Sequence, residues 1–473
     1  MTETENSKRS VVRIALVALA GASIESYDFF VYGTAAALVF PKLFFPAQSP
    51  LIGTLLSFAT FGVGFVARPV GGVILGHIGD VYGRKKALVI ALTGMGVGTT
   101  LIGLLPTHAT IGMAAPLLLV LLRFLQGLAM GGQAGGVLLL VTESAPDKRR
   151  GFYGAFACAG APVGIILSSL VFLVIVNLTS PVSFETWGWR VPFLLSVALI
   201  ALSIYTQFRV EETPAFRHLQ ETKQREEGEL VSRGPANGHE SMVSARTDAK
   251  AEHRHSPIFK ALRAYPKEIA LAAGAYAAIN MTFYIFVTFV IGYATNPDIL
   301  AMPRNTILAA VLIASSIQVV ALLSFGALSD RFGRRRMYML GAALLGVWSF
   351  VFWPMLNTKS FVLITFALVV GLSLLHSMMY GPQGAFFSEI FATEVRYSGV
   401  SLSIQIASVL AGAFAPLIAT ALLAKYHSWV PIAVYMAAMC ATTFISVYLL
   451  KETHLVHLED PPDHLGATSE AVA

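Results

Sequence analysis

The chain has 473 residues, of which 55% are hydrophobic and only 13% are charged, and its mean hydropathy is +0.68. Charged residues make up about a quarter of an average soluble domain, so this chain has too little polar surface to cover a water-soluble globule of its size. The net charge is +6, but no soluble segment clusters Lys and Arg as nucleic-acid binding requires. The composition therefore predicts a polytopic membrane protein and no nucleic-acid partner.

Twelve apolar stretches are each long enough to cross a bilayer as a helix, which takes about 20 residues. Their approximate limits are 12–40, 51–76, 87–106, 111–141, 152–177, 190–208, 267–294, 306–327, 337–357, 360–388, 399–425 and 428–450. Basic residues before the first stretch are also typical of a secretory signal. Because the apolar run continues through Phe40 without a convincing cleavage site, we predict an uncleaved first span.

A polar segment separates the sixth and seventh stretches and divides the chain into two halves. Residues 209–268 hold more than a third of the charged residues in about an eighth of the length, a composition typical of a flexible linker. We predict a six-helix bundle over 1–208, a cytoplasmic linker over 209–266, a second six-helix bundle over 267–450 and a cytoplasmic tail over 451–473.

The basic loops predict the orientation in the membrane. Clusters of basic residues follow the second, fourth and eighth stretches, at 84–86, 148–150 and 331–336. All of them fall on the same side as both termini, whereas the opposite loops hold scattered single charges such as Lys42, Arg304 and Lys359. The positive-inside rule then places both termini in the cytoplasm.

The two halves resemble each other in sequence. GHIGDVYGRKK at 76–86 returns as GALSDRFGRRR at 326–336, an offset of 250, and the same offset carries Gly131 and Gln133 onto Gly381 and Gln383. Matches at one fixed offset indicate a duplicated six-helix unit, as in parallel-repeat transporters.

The repeated G-x-x-x-D-x-x-G-R-[KR]-[KR] loop resembles the signature of the major facilitator superfamily. The stretches IESYDFFVYG, FGVGFVARPVGG, RFLQGLAMGG, WGWRVPFLLS and YGPQGAFFSEIFATEVRYSG resemble the metabolite:proton symporter family, and within it the shikimate-type carriers and their unassigned relatives. That family includes carriers for shikimate, 2-oxoglutarate, citrate, and proline or betaine. The resemblance implies an all-α protein of twelve transmembrane helices in two bundles, in the plasma membrane of a bacterium.

Two acids in the first span are the leading candidates for proton coupling. Glu25 and Asp28 lie three residues apart on one helix face, and a buried charge costs about 2.5–3.5 kcal/mol on insertion scales. Two close carboxylates in a poorly hydrated place resist simultaneous ionisation, which suits a group that binds and releases a proton. In the superfamily an Asp of span one often pairs with an Arg of span four, so the resemblance implies that Asp28 and Arg123 form the coupling pair. The alternative is a static buried ion pair that only fixes helix packing.

Further polar residues inside the spans are candidates for substrate binding. Arg68 could bind a substrate carboxylate through its planar fork or neutralise Glu25, and His376 could bind substrate or be a packed polar residue. The full set of candidates is Arg68, Arg123, Tyr32, Gln133, Asn280, Tyr284, His376, Tyr380 and Gln383.

A third group of residues lies at the predicted cytoplasmic membrane edge. In the superfamily such residues form ion pairs between the bundles that hold the outward-facing state. The resemblance implies a gate made of Gly76, Asp80, Gly83, Arg84, Glu143, Asp330, Gly333, Arg334, Glu389 and Arg396. The alternative is that these charges only set the orientation.

The chain departs from the family pattern at two positions. Val81 stands where the signature usually has Arg or Lys, although Arg331 keeps it in the second copy. Gln133 stands where many relatives have Glu, and since Gln cannot titrate, proton coupling would rest more on Asp28 and Glu25.

These patterns predict a monomeric secondary transporter that takes up a small polar metabolite, in particular a carboxylate, together with protons. We predict no cofactor, because no ATP-binding loop occurs. We also predict no metal site, because the two cysteines lie far apart in apolar runs. The alternatives are a proton-coupled proline or betaine transporter, and a non-transporting receptor or a membrane enzyme, for which no signalling domain or catalytic constellation is visible. The short tail without sustained heptads argues against osmotic gating.

Overall fold

A computed structural model describes residues 3–82, 84–131, 136–198, 201, 257–392 and 395–454, apart from the side chains of residues 3–10, 76, 77, 79–82, 84–88, 136, 137 and 257–260. Within these ranges the chain is helical and contains no strand.

The long helices of the first half are numbered in chain order. They are α1 (Glu3–Leu38), α2 (Pro50–Tyr82), α3 (Arg84–Leu104), α4 (the two segments Ala114–Gly131 and Gly136–Ser144), α5 (Arg150–Leu178) and α6 (helical residues 191–198). Short helices at Phe40–Phe44, His108–Ile111, Asp147–Arg149, Pro181–Thr186 and Gly188–Arg190 lie in the connections.

The second half repeats this arrangement. Its long helices are α7 (Pro266–Thr295), α8 (Arg304–Phe332), α9 (Arg334–Asn357), α10 (Phe361–Ile390), α11 (Arg396–Tyr426) and α12 (Val430–Leu449). A short helix, Pro257–Ala264, precedes α7 and lies within the predicted linker.

Ten of the helices in the described part of the chain are long and apolar enough to cross a membrane. The apolar part of α3, Val89–Leu104, is shorter, and α6 is described only in part. The helices alternate in direction, so the start of α1 and the end of α12 lie at one end of the described structure. Two contacts at that end agree with this: Glu452, after α12, bonds the start of α9, and Val11 of α1 packs in a cluster with Ala145 at the end of α4. We call this end the termini side and the opposite end the far side.

Glycines let neighbouring helices approach closely, as in many membrane bundles. A Cβ at Gly127 of α4 would lie 2.2 Å from the carbonyl oxygen of Gly64 in α2, far inside contact distance. Gly151 of α5 and Gly326 of α8 meet in the same way, each against the backbone of the other. The second contact joins the two bundles, so it fixes their separation on the termini side.

Three helices of the second bundle contain π-helical segments, at Ile285–Phe289 in α7, Val369–Leu375 in α10 and Ser408–Ala413 in α11. Such segments often mark functional sites in helices. Tyr284 directly precedes the first and His376 directly follows the second, so these distortions lie next to candidate site residues.

Candidate functional site

A cavity of about 160 Å³ lies between the two bundles. The first bundle lines it with Glu25, Ser26, Phe29, Phe30, Arg68, Met130 and Ala161, and the second with Tyr276, Ile279, Asn280, Phe283, Tyr284 and Tyr380. In each half, the first and fourth helices contribute, as expected for a duplicated unit. Pockets for drug-sized ligands usually measure about 300–1,000 Å³, so this cavity suits a small molecule.

Five of the sequence-predicted residues line the cavity: Glu25, Arg68, Asn280, Tyr284 and Tyr380. The other candidates for proton coupling and substrate binding whose side chains are described are not among the lining residues: Asp28, Tyr32, Arg123, His376 and Gln383. Gln133 lies outside the described residues.

Arg68 faces the cavity with few polar partners. Its guanidinium lies over the rings of Phe65 and Phe29, 4.4 Å and 4.7 Å from their centroids. Nη2 lies 3.7 Å from the Met130 sulfur, a weak acceptor, and Nε is buried without a partner among the described residues. Arg68 makes no described ion pair with Glu25, although the two line the same cavity. Its N–H groups that lack a hydrogen-bond acceptor can therefore donate to an anionic group.

Asp28 and Arg123 are joined by a chain of hydrogen bonds and not by a direct ion pair in the described structure. The Thr99 hydroxyl donates to Asp28 Oδ2 at 3.1 Å, Gln126 Nε2 donates to the Thr99 hydroxyl at 2.6 Å, and Arg123 Nη1 donates to Gln126 Oε1 at 2.6 Å. All four side chains are almost completely buried. The predicted pair thus lies in one network, with α3 supplying the residue between α1 and α4.

Arg123 is held mainly by aromatic rings. Its guanidinium carbon lies 4.2 Å from the Tyr32 centroid and 4.8 Å from the Phe29 centroid. Gly64 makes room for this side chain, because a Cβ there would lie 2.7 Å from Arg123 Nε. Cation–π contacts stabilise a desolvated cation by about 2 kcal/mol but use none of its N–H donors, and Nε and Nη2 have no partner within the described ranges.

His376 is packed among polar and aromatic partners outside the cavity lining. Its Nδ1 lies 3.1 Å from Gln318 Nε2, its Nε2 lies 3.1 Å from the Ile279 carbonyl oxygen, and Phe283 stacks on its ring. Both ring nitrogens are therefore occupied. Tyr32 is likewise occupied, by a 2.5 Å hydrogen bond between its hydroxyl and that of Thr60.

Gln383 lies at the boundary between the bundles, also outside the cavity lining. Its Oε1 accepts a 3.5 Å hydrogen bond from the Cys158 thiol of α5, and its Nε2 is buried without a partner in the described part of the chain.

A helix cap joins the two bundles on the termini side, and ion pairs within the second bundle hold the capping residue. Asp330 of α8 accepts hydrogen bonds from the backbone N–H groups of Gly151 and Phe152, at 2.8 Å and 3.0 Å, and so caps the N-terminus of α5. Arg334 bridges Asp330, at 2.6 Å, and Glu389 of α10, at 3.1 Å. An anion at a helix N-terminus is favourable because the free N–H groups and the helix dipole both attract it.

A second bridge on this side joins Arg396 of α11 to Glu143 of α4, at 3.2 Å. Gly333, the first residue after α8, has a φ of +97°, which favours glycine. Gly83 and the side chains of Asp80 and Arg84 lie outside the described part, as does any side-chain environment at Gly76. The structure thus brings Glu143, Asp330, Arg334, Glu389 and Arg396 to one surface between the bundles; Gly333 follows directly after that segment of α8.

The far side has an ion-pair bridge of its own. Glu185, in the short helix Pro181–Thr186, accepts hydrogen bonds from Lys42 at 3.0 Å and from Arg304, at the start of α8, at 2.8 Å. Partial burial alone would raise the pKa of Glu185, but the bonds and charges of Arg304 and Lys42 outweigh it and lower this pKa below the ordinary value of 4.5. Two of the charges that look scattered in the sequence, Lys42 and Arg304, therefore converge on one carboxylate that connects the bundles.

Glu185→Gln is expected to favour conformations that are open on the far side, by about two- to fivefold, because exposed ion pairs contribute about 0–1 kcal/mol each. Electron spin resonance distances between labels at Gln48 and Thr358 measure this opening.

Because the pKa of Glu185 is lowered, its bridge is complete above pH 4.5 and is lost only as the pH falls through that lower value. The wild-type distances should therefore not change between pH 8 and pH 5.5. Asp298→Asn, in an exposed loop on the same side, is the control; equal distances in Glu185→Gln and this control contradict the prediction.

Contacts on both sides of the cavity thus hold the bundles together. Besides Glu185–Arg304, the ring of Phe58 in α2 packs 6.5 Å from that of Phe289 in α7 on the far side. The described conformation therefore has contacts between the bundles on both the termini side and the far side, with the cavity between the two sets of contacts.

The amino-acid sequence matches the model of a known protein family. Residues 14–463 match the model of the family "Sugar (and other) transporter". The chain belongs to this family of the major facilitator superfamily.

Its curated relatives in the family match nearly end to end. The inner membrane metabolite transport protein YhjE of Escherichia coli (strain K12) is 38% identical over 451 residues, 95% of each chain. The shikimate transporter of the same strain is 36% identical over 442 residues, 93% of this chain and 94% of that one. The proline/betaine transporter of that strain is 29% identical, over 92% of this chain and 82% of its own.

Solved structures of the superfamily share the fold. The proton:xylose symporter XylE bound to 6-bromo-6-deoxy-D-glucose superposes with a TM-score of 0.69 at 17% identity, over 94% of this chain and 97% of that one. Its partially occluded inward-open conformation, from Escherichia coli, gives 0.67 at 19% identity, over 95% and 99%. The predicted twelve-helix all-α membrane fold is thereby confirmed. The relatives and structural neighbours are transporters and not enzymes, as predicted, and the chain is a multi-pass membrane transporter.

Sequence reasoning missed three polar residues that the structure places in the networks. Gln126 follows Arg123 by three residues, so its polar side chain on the same face of an apolar helix was a usable signal. Thr99 carries no such signal, because a helical Thr can bond its own i−4 carbonyl, as it does with Met95 at 3.0 Å. Glu185 was missed because nothing in the sequence brings its three loops together.

Proposed function

We propose that this transporter is a proton-coupled symporter for a small organic acid, that it works by alternating access, and that the termini side faces the cytoplasm. The observation that carries the proposal is the balance of charge around the cavity. In the described part of the membrane core, two acids, Glu25 and Asp28, accompany two guanidiniums, Arg68 and Arg123.

A carboxylate that enters this balanced site brings one uncompensated negative charge into a poorly hydrated place. Burying an unpaired charge is costly, whereas a proton taken up by Asp28 or Glu25 restores neutrality. Substrate anion and proton therefore stabilise each other in the closed site, which is the requirement for symport. The free donors of Arg68 supply the contact for the anion.

Further support comes from the relatives and from the loops. The shikimate transporter matches almost the whole chain, and basic clusters on the termini side agree with a cytoplasmic location by the positive-inside rule. Alternating access would open in turn the contacts between the bundles on the termini side, made by Asp330 with α5 and by Glu143 with Arg396, and those of Glu185 on the far side.

A second candidate function is transport of a zwitterionic osmolyte such as proline or betaine. Phe29, Phe30, Tyr276 and Phe283 surround the cavity, and aromatic faces bind quaternary ammonium groups. A zwitterion, however, enters the balanced site without changing its charge and gives no reason for proton uptake.

Uptake into proteoliposomes with an alkaline interior tests the two functions. With shikimate as labelled probe, we expect accumulation and competition by other small carboxylates such as 2-oxoglutarate, citrate or benzoate. Competition by betaine or proline alone, or uptake that depends on osmolality and not on the pH gradient, overturns the proposal in favour of an osmolyte carrier.

Arg68→Gln is expected to raise the KM for the anionic substrate about 10- to 100-fold, because a hydrogen bond to a charged group contributes about 1.5–3 kcal/mol. Arg68→Lys is the matched control, since it keeps the charge without the planar fork, and we expect an intermediate KM. An unchanged KM in Arg68→Gln contradicts the role of Arg68 in binding the anion.

A further inference from the structure

We infer that Thr99 and Gln126 are positioning residues that form a hydrogen-bond relay, through which the protonation state of Asp28 controls the orientation of Arg123 toward the substrate cavity. The inference rests on the proposed symport and adds the route between the proton and the substrate.

The first step concerns the Thr99 hydroxyl, which can donate a hydrogen bond to either of two acceptors. The hydroxyl has one hydrogen, and two acceptors lie within reach: Asp28 Oδ2 at 3.1 Å and the Met95 carbonyl oxygen at 3.0 Å. One hydroxyl donates to one strong acceptor at a time. An ionised Asp28 is the stronger acceptor, so the hydrogen points across to α1. When Asp28 has bound a proton from the aqueous phase and is neutral, the hydrogen can turn back to its own helix.

The proton has a place to bind. Asp28 Oδ1 is buried and has no hydrogen-bond partner among the residues that the structure describes. Oδ2, the other oxygen, is the one held by Thr99. The charged groups that act on this carboxylate are Glu25 on its own helix and Arg123 on α4, while Thr99 of α3 and Ser196 of α6 are its neutral neighbours.

The second step leads from Thr99 to Arg123. The Thr99 oxygen accepts the amide hydrogen of Gln126, and this bond fixes which end of the amide faces Arg123. The Gln126 carbonyl oxygen then accepts a hydrogen bond from Arg123 Nη1. The Thr99 oxygen accepts the bond from Gln126 whichever way its own hydrogen points, but donation to an ionised Asp28 polarises the chain, so that its hydrogen bonds strengthen one another. Protonation of Asp28 removes this polarisation and the negative charge that partly balances the guanidinium, and so weakens the hold of Gln126 on Arg123.

The third step leads from Arg123 to the cavity. Phe29 lines the cavity, and its ring contacts both guanidiniums, with its centroid 4.8 Å from that of Arg123 and 4.7 Å from that of Arg68. Protonation of Asp28 leaves Arg123 uncompensated next to this ring, with Nε and Nη2 free of partners in the described structure. The positive charge then attracts the substrate anion, so the relay makes substrate binding depend on the proton.

The variant Thr99→Val tests the relay, because valine has nearly the shape of threonine but no hydroxyl. Thr99→Ser keeps the hydroxyl. Thr100→Val is a matched control, since the only hydrogen bond of the Thr100 hydroxyl to a described residue goes to the Gly96 carbonyl of its own helix, at 2.7 Å. Each is measured in proteoliposomes for accumulation of labelled shikimate at a pH gradient of two units and for counterflow exchange without a gradient.

We expect Thr99→Val to accumulate at least tenfold less shikimate than the wild type while its exchange stays within about twofold. Thr99→Ser and Thr100→Val should keep both within about twofold, and Gln126→Leu should behave as Thr99→Val. A merely structural role would lower accumulation and exchange together, which overturns the inference, as does wild-type accumulation in Thr99→Val. If the wild type itself does not accumulate any organic acid from a pH gradient, the proposed function fails and the relay with it.

Discussion

The variant Asp28→Asn is expected to lose gradient-driven accumulation of substrate and to keep its exchange. Each pH unit corresponds to 1.36 kcal/mol, or about tenfold in concentration. A gradient of two units can therefore drive accumulation of up to about 100-fold with one proton per substrate. Asparagine has the shape of aspartate but cannot titrate, so the ratio of internal to external substrate concentration should fall to about one.

The measurement compares accumulation with counterflow in the same proteoliposomes. Glu25→Gln is the informative companion, because Glu25 lines the cavity whereas Asp28 lies behind it in the hydrogen-bonded network. If Asp28 carries the proton, Glu25→Gln keeps part of the accumulation. Equal loss of accumulation and exchange in Asp28→Asn, at normal expression, would instead support a static ion pair that only fixes helix packing.

The variant Arg334→Gln is expected to open the termini side. Arg334 is only 1% exposed in its side chain and bridges Asp330 and Glu389. Removing one partner from a buried ion pair costs about 3–5 kcal/mol, because the remaining charge is left uncompensated. Since Asp330 also caps α5 of the other bundle, much of this cost should fall on the closed conformation and change the population ratio by more than about 100-fold.

Spin-label distances between Lys148 and Lys451, both exposed on the termini side, report this opening. Arg336→Gln is the matched control, since Arg336 is exposed in the first turn of the same helix, α9, and its substitution removes one positive charge as Arg334→Gln does. We expect longer distances in Arg334→Gln alone. Similar distances in the two variants would mean that the basic loop only sets the membrane orientation.

The positions of the buried charges could be predicted from the sequence, because an ionisable residue in an apolar helix must face a cavity or a partner. Glu25 and Arg68 indeed line the cavity, and Asp28 and Arg123 share one network. The repeated loop motif also predicted that Asp330 and Arg334 lie at one membrane edge.

The connections between these residues could not be predicted. The register between helices of different bundles decides that Asp330 caps α5 and that Glu143 meets Arg396, and local patterns carry no information on that register. The same holds for His376, whose partners Gln318 and the Ile279 carbonyl come from two other helices. Sequence thus indicates which side chains need a partner, and packing decides which partner they receive.

The most direct test of proton–substrate symport is the movement of protons caused by the substrate. Proteoliposomes that contain the protein and an internal pH dye start without a pH gradient, and unlabelled shikimate or another small carboxylate is added outside. Symport predicts that the interior becomes acidic, with Asp28→Asn as the silent control. Substrate entry without any acidification, measured in parallel with labelled shikimate, would contradict proton coupling and leave a carrier that only equilibrates its substrate.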